Sequence, residues 1–192
     1  MEGVEKVRSI VKDSIETKER LLASDAVVAA MEKATDAWVE CLKADGKILF
    51  CGNGGSAADA QHIAAELSGR FYKDRDPLFA EALHVNTSYL TAVANDYSYD
   101  EIYARLIKAK GRKGDVLVGI STSGNSGNVV RAMEQGKEQG MVLIGMTGET
   151  GGKMAELSDI LLNVPSKDTP RIQECHILMG HIICQLTEER LF

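Results

Sequence analysis

Val4, Val7, Val11 and Ile15 recur every three or four residues with charges between them, the spacing of one helical face. After Ser24-Asp25 the pattern resumes, with Val28, Met31, Ala34, Trp38 and Leu42 on one side, and runs out near Gly46. From Lys47 the texture changes. "KILFCG", "LFAEALHVN", "DVLVGIS", "MVLIGMTG" and "DILLNVP" are short apolar runs bounded by Gly, Asp, Asn or Pro. Such runs suit strands covered on both faces, as in a parallel sheet between helices. The segments 56–70, 88–110, 127–139 and 152–157 between them read as helices. A last helix, from about 170 to 190, aligns Ile172, His176, Met179, Ile183 and Leu186 along one side.

Strand alternating with helix predicts an α/β fold, a doubly wound parallel sheet flanked by helices. No internal repeat, low-complexity tract or Pro-rich linker divides the chain, so residues 1–192 form one domain. Residues 46–192 are its α/β core, and the two helices of 1–45 are an appendage suited to an oligomer interface.

The remaining totals narrow the partners. A formal charge of -6 disfavours a nucleic-acid surface, so a site for an anion must supply its own positive field. Cys41, Cys51, Cys175 and Cys184 show neither C-x-x-C nor zinc-finger spacing. The first 20 residues are too charged for a secretory signal, and no apolar run approaches the ~18 residues a membrane span needs. The expectation is a cytoplasmic protein with reduced thiols and no membrane partner.

In open α/β sheets ligands bind where strands lead into helix N-termini. Two loops stand out there. "CGNGGS", 51–56, packs three glycines into four residues, which suits a tight turn or a close backbone approach. "GISTSGNSGNVV", 119–130, offers the hydroxyls of Ser121, Thr122, Ser123 and Ser126 just before a helix, an arrangement that suits a phosphate. Were Ser126 only a helix cap, one hydroxyl would suffice. The first loop is not G-x-G-x-x-G, and "GETGGKM" at 148–154 lacks the spacing of a nucleotide P-loop.

His62 and Glu66, four residues apart, share a helical face, where they can bind a divalent metal, act as acid and base, or simply pair. The last helix adds Gln173, Glu174, His176 and His181, and spacing does not choose among them.

Together, "CGNGGSAADAQHIAAELSGRF", "NDYSYD", "GISTSGNSGNV", "TGETGGKMAELSD" and "TPRIQECHILMGHIICQLTEE" closely resemble the phosphoheptose isomerases of the sugar-isomerase (SIS) fold. The resemblance covers nearly all of the chain from Gly46 and is weaker before it. It implies interconversion of sedoheptulose 7-phosphate and D-glycero-D-manno-heptose 7-phosphate, the first step toward bacterial nucleotide-activated heptose for lipopolysaccharide core and other surface glycans. It further implies a homotetramer with sites shared between subunits. Asn53, Gly54, Gly55, Asn95, Asp96 and Gln173 would contact substrate, and Ser121, Thr122, Ser123 and Ser126 would hold its phosphate. Glu66 and His181 would move protons. His62, Glu66, Gln173 and His181 would hold one zinc per subunit.

The implied chemistry is aldose–ketose isomerisation through an enediol. A carboxylate is a weak base toward a carbon acid, so burial beside Ile63 and Leu67 would help it, and the enediolate needs a positive partner. A carboxylate bound to zinc is a poorer base still, so Glu66 cannot serve both purposes at once. Two alternatives share the fold: a non-catalytic regulator that binds a replication initiator protein, and an isomerase for a shorter sugar phosphate. The first has no need of His62, Glu66 and His181 together.

Overall fold

A computed structural model describes residues 2–192. Five strands, β1 (Ile48–Gly52), β2 (Ala80–Ala82), β3 (Val116–Ile120), β4 (Val142–Thr147) and β5 (Ile160–Asn163), form one parallel sheet in the order β2-β1-β3-β4-β5. All five residues of β1 and of β3 are buried, which is why these strands read as unbroken apolar runs.

Alternate strand residues feed two cores. Ile48, Phe50, Val116, Val118 and Ile144 face α2 (Asp25–Lys43), α3 (Gly55–Ser68) and α8 (Thr169–Leu191). Leu49, Cys51, Leu117 and Leu143 face α4 (Thr87–Asp96), α5 (Ile102–Lys110), α6 (Gly127–Glu138) and the short α7 (Met154–Leu157). Trp38 seats edge-on against Phe50, with ring centroids 5.6 Å apart. The sheet order reverses direction between β1 and β3, so the crevice at their carboxyl ends lies between residues 53–55 and 121–126, the two loops already singled out.

Three elements depart from expectation. The single helix expected over 88–110 is two helices joined by a 3-10 turn, Tyr99–Glu101. Tyr97 and Ser98 leave helical geometry, and the break lets the Tyr99 hydroxyl donate to Asn53 Oδ1 at 3.1 Å. Of "LFAEALHVN" only Ala80–Ala82 is strand, because this edge pairs with β1 alone. The helix expected from 152 begins at Met154, since Gly151 and Gly152 both take positive φ.

The first helix, α1 (Glu2–Leu22), buries only Thr17 and Leu21. Its stripe of Val4, Val7, Val11 and Ile15 is 51–61% exposed. Among the described residues, no helix is long and apolar enough to cross a membrane, and the four cysteines are free and buried.

Candidate active site

Helices α3 and α8 lie side by side and run parallel. At one end a Cβ on Gly55 would sit 2.6 Å from Gln173 Nε2, and further along a Cβ on Gly180 would sit 2.5 Å from Ile63 Cδ1. The glycine at 55 is thus a close-approach position: the Gln173 amide occupies the space of its missing side chain. Gly54 before it has φ 54°, so the turn out of β1 also needs glycine.

This pairing brings His62 and Glu66 of α3 against His181 of α8, with one donor atom from each within 4.8 Å of the others. His62 Nε2 lies 3.0 Å from Glu66 Oε1, and the His62 and His181 rings meet nearly perpendicular at 4.9 Å. His181 Nε2 is buried with no partner. Burial and then the neighbouring His62 lower its pKa, with Glu66 opposing, so the ring favours its neutral form. Ile63 and Leu67, expected beside the carboxylate, are buried in the core, while the Glu66 side chain keeps 23% of its surface exposed.

His176 is placed quite differently. It is fully buried, Nε2 donates to the Thr147 carbonyl at 3.1 Å, and burial drives its pKa down to about 4. Helical spacing left His176 and His181 as equals. The register of α8 against α3 separates them, one into the core and one into the cluster. Glu174 accepts hydrogen bonds from Ser14 and Arg171, which tie α8 to α1 and to its own preceding turn.

At the carboxyl end of β3, Ser121 is buried, with Oγ 2.9 Å from Ser126 Oγ and 3.4 Å from Ser123 Oγ. Ser126 stands at the N-cap of α6, yet its side chain makes no capping bond. The hydroxyls point at one another beside first-turn N–H groups that have no intrahelical acceptor, which is a place for an anion. Thr122, Ser123 and Asn125 also line a cavity of about 300 Å³ that reaches Lys167 and Ile172.

Asn53 exchanges two amide hydrogen bonds with the buried Asn128, at 2.9 and 2.8 Å, which fixes its orientation across the crevice. Asn95 and Asp96 are exposed at the end of α4 and bond to each other at 3.0 Å. Sequence reading did not single out Asn128 or Tyr99, although both lie inside quoted motifs. It also passed over Asp59, one turn before His62, whose Oδ2 is buried and unpartnered. Burial raises the Asp59 carboxyl to about 6 against the pull of His62.

The site therefore has two stations. Asn53, Gly55, Gln173 and the hydroxyl loop gather at the carboxyl edge of the sheet. At 1.5 Å per residue, His62 and Glu66 stand roughly 10 and 16 Å further along α3.

An SIS domain model matches residues 4–148. The phosphoheptose isomerase of Aneurinibacillus thermoaerophilus is 50% identical over 186 residues, covering 97% of this chain and 94% of that protein. That of Rhodospirillum rubrum is 56% identical over 162 residues, 84% and 86% of the two chains. Among solved structures, phosphoheptose isomerase from Neisseria gonorrhoeae superposes with a TM-score of 0.91 at 46% identity, over 96% of this chain and 98% of that one. The enzyme from Francisella tularensis superposes with 0.93 at 36% identity, over 98% and 100%. A sheet whose reversal point carries a hydroxyl loop, a two-helix cluster of His, Glu and His, and these relatives across nearly the whole chain converge: the protein belongs to the SIS-domain family and, within it, to the phosphoheptose isomerases.

Proposed function

We propose that the chain interconverts sedoheptulose 7-phosphate and D-glycero-D-manno-heptose 7-phosphate, supplying a bacterial route to nucleotide-activated heptose for lipopolysaccharide core or other surface glycans. The observation that carries this reading is the meeting of Glu66 with His62 and His181 in a protein that also presents the Ser121–Ser126 loop. Phosphate binds that loop, held by hydroxyls and the α6 N-terminus in place of a lysine-rich pocket. Glu66 takes the proton from C1 of the ketose and returns it at C2. His181, kept neutral by burial, shuttles the proton between O1 and O2, so charge on the enediolate never builds up unpaired.

The two stations stand roughly 10–16 Å apart along α3, a span that asks for an extended sugar phosphate and leaves the crevice between them open to groups from another copy. Sites shared between subunits, as the resemblance implies, would supply such groups. The exposed Val4, Val7, Val11 and Ile15 stripe supports the homotetramer that sharing requires, since α1 has almost no cover within its own chain.

The same cluster fits a metal. Two imidazoles and a carboxylate converge within 4.8 Å, and one imidazole nitrogen is buried without a partner, a donor set suited to zinc. His62, Glu66 and His181 would hold it in the substrate-free site, with Glu66 free of the metal when it acts as base; Gln173, the fourth donor the resemblance implies, stands at the other station. Within one chain that amide rests against Gly55. Bound zinc would supply a Lewis acid for the developing oxyanion. We place the enzyme in the cytoplasm, where its four free thiols stay reduced.

Incubation with sedoheptulose 7-phosphate, and separately with pentulose and hexulose phosphates, tests the reading. Proton NMR should show an aldose signal with the heptulose in strong preference. Equal or better turnover of a shorter sugar would reassign the substrate, and no turnover of any would favour the regulator.

A further inference from the structure

Arg75 and Glu188 form an ion pair with both side chains only 2% exposed, Nε to Oε2 at 3.0 Å. A buried pair of this kind contributes little net stability, because desolvating two charges offsets their attraction. Where their remaining hydrogen bonds end is more informative. Arg75 Nη2 donates to the Glu66 carbonyl at 2.9 Å, and Nη1 donates to the carbonyls of Leu67 at 2.8 Å, Gly69 at 3.0 Å and Asp76 at 3.0 Å. The guanidinium thereby holds the final turn of α3, at the negative end of its dipole. Glu188 accepts from three successive backbone N–H groups, Phe71 at 3.3 Å, Tyr72 at 2.9 Å and Lys73 at 2.7 Å. The segment so held lays the Phe71 ring against His181, with centroids 5.6 Å apart.

We infer that Arg75 and Glu188 are positioning residues for the reaction: one buried ion pair fixes the backbone of Glu66 at one end and, through Phe71, the ring of His181 at the other. Glu188 is itself on α8, two turns beyond His181, so the pair also locks the helix that carries one reacting group to the helix that carries the other. Neither residue touches the reacting atoms. Displacement of a reacting group by about 1 Å costs roughly a hundredfold in rate, so losing this clamp shows in turnover before it shows in binding. The inference rests on Glu66 and His181 being the reacting pair.

The test compares Arg75→Lys, Glu188→Gln, Phe71→Leu and Glu66→Gln with the wild-type tetramer, at a temperature well below the unfolding transition of each. Arg75→Lys keeps the charge but cannot bond Glu188 and four carbonyls together. For Arg75→Lys and Glu188→Gln the expectation is a kcat lower by roughly 10–100-fold per folded site. Inhibition by inorganic phosphate should stay within about twofold, because the hydroxyl loop is untouched. Phe71→Leu leaves the ion pair intact and removes only its grip on His181. It should lower kcat by roughly 10-fold while inhibition by inorganic phosphate stays within about twofold. Should neither ion-pair variant fold, Phe71→Leu alone decides. A purely structural clamp would lower the melting temperature while kcat stayed at its wild-type value, and that result overturns the inference. If Glu66→Gln is inactive while the other three turn over normally, the clamp fails and the site reading stands. If Glu66→Gln turns over normally, both fall.

Discussion

Replacing His176 by leucine separates a core histidine from a catalytic one by a measurement of stability against pH. Its imidazole is fully buried, and its pKa falls from 6.5 to about 4, chiefly through burial, with the bond to the Thr147 carbonyl opposing. A depressed pKa contributes stability that is fully present above the unfolded value near 6.5 and is lost as pH falls through about 4. The whole effect is about 3 kcal/mol, and roughly 2 kcal/mol of it falls between pH 7 and pH 5. Leucine removes this titration. It also removes one hydrogen bond to the Thr147 carbonyl, which keeps the bond it accepts from Val164 N at 2.9 Å, so the direct loss is about 1 kcal/mol. Urea unfolding at pH 7 and pH 5, at one fixed protein concentration, gives the comparison, since the proposed assembly would make stability concentration-dependent. Asp59 and the other titrating groups cancel between the two proteins. The wild type should lose about 2 kcal/mol more than His176→Leu on acidification. Equal losses would show that His176 is not a buried neutral imidazole, and the assignment of α8 faces would fail with it.

His181→Ala should abolish turnover in a folded protein, whereas His176→Leu should keep it, with size-exclusion chromatography showing the wild-type elution volume for both. Ser126→Ala should weaken sugar phosphates and inorganic phosphate alike by about 1.5–3 kcal/mol, read by calorimetry. Unfolding should change by only about 1 kcal/mol, the bond to Ser121 Oγ, because the hydroxyl makes no capping bond. Unchanged phosphate affinity would make the loop an ordinary turn. Mixing inactive His181→Ala and Glu66→Gln subunits by co-expression should restore part of the activity if the two groups act in one site from different copies; mixtures as inactive as either parent would place each site within one chain. Removal of metal by chelation should lower the rate without abolishing substrate binding, and full activity in protein shown by elemental analysis to be metal-free would remove zinc from the catalytic account.

Much of this was legible in the chain because the signals were local. β1 and β3 are covered on both faces, so "KILFCG" and "DVLVGIS" are continuous apolar runs, and the loops that follow them carry their chemistry in adjacent residues. What stayed hidden depends on contacts distant in sequence. Nothing in the spacing of α8 says which of its histidines meets α3; the Gly180–Ile63 contact does. The break within 88–110 is what lets Tyr99 reach back to Asn53, and Asn53 is oriented by Asn128, 75 residues away. Arg75 and Glu188, 113 residues apart, read separately as ordinary surface charges until the fold buries them together.

The central claim is that Glu66 carries a proton between adjacent carbons of the sugar. Conversion of sedoheptulose 7-phosphate in deuterium oxide, followed by NMR, tests it most directly. A base that is partly exposed, as Glu66 is, exchanges its captured proton with solvent. The wild type should therefore place deuterium at C2 of the aldose product. Glu66→Gln should lose turnover and deuterium incorporation together, by roughly 10²–10⁴-fold, while still binding substrate. A Glu66→Gln enzyme that works at the wild-type rate, with the wild-type deuterium content at C2, would contradict the account.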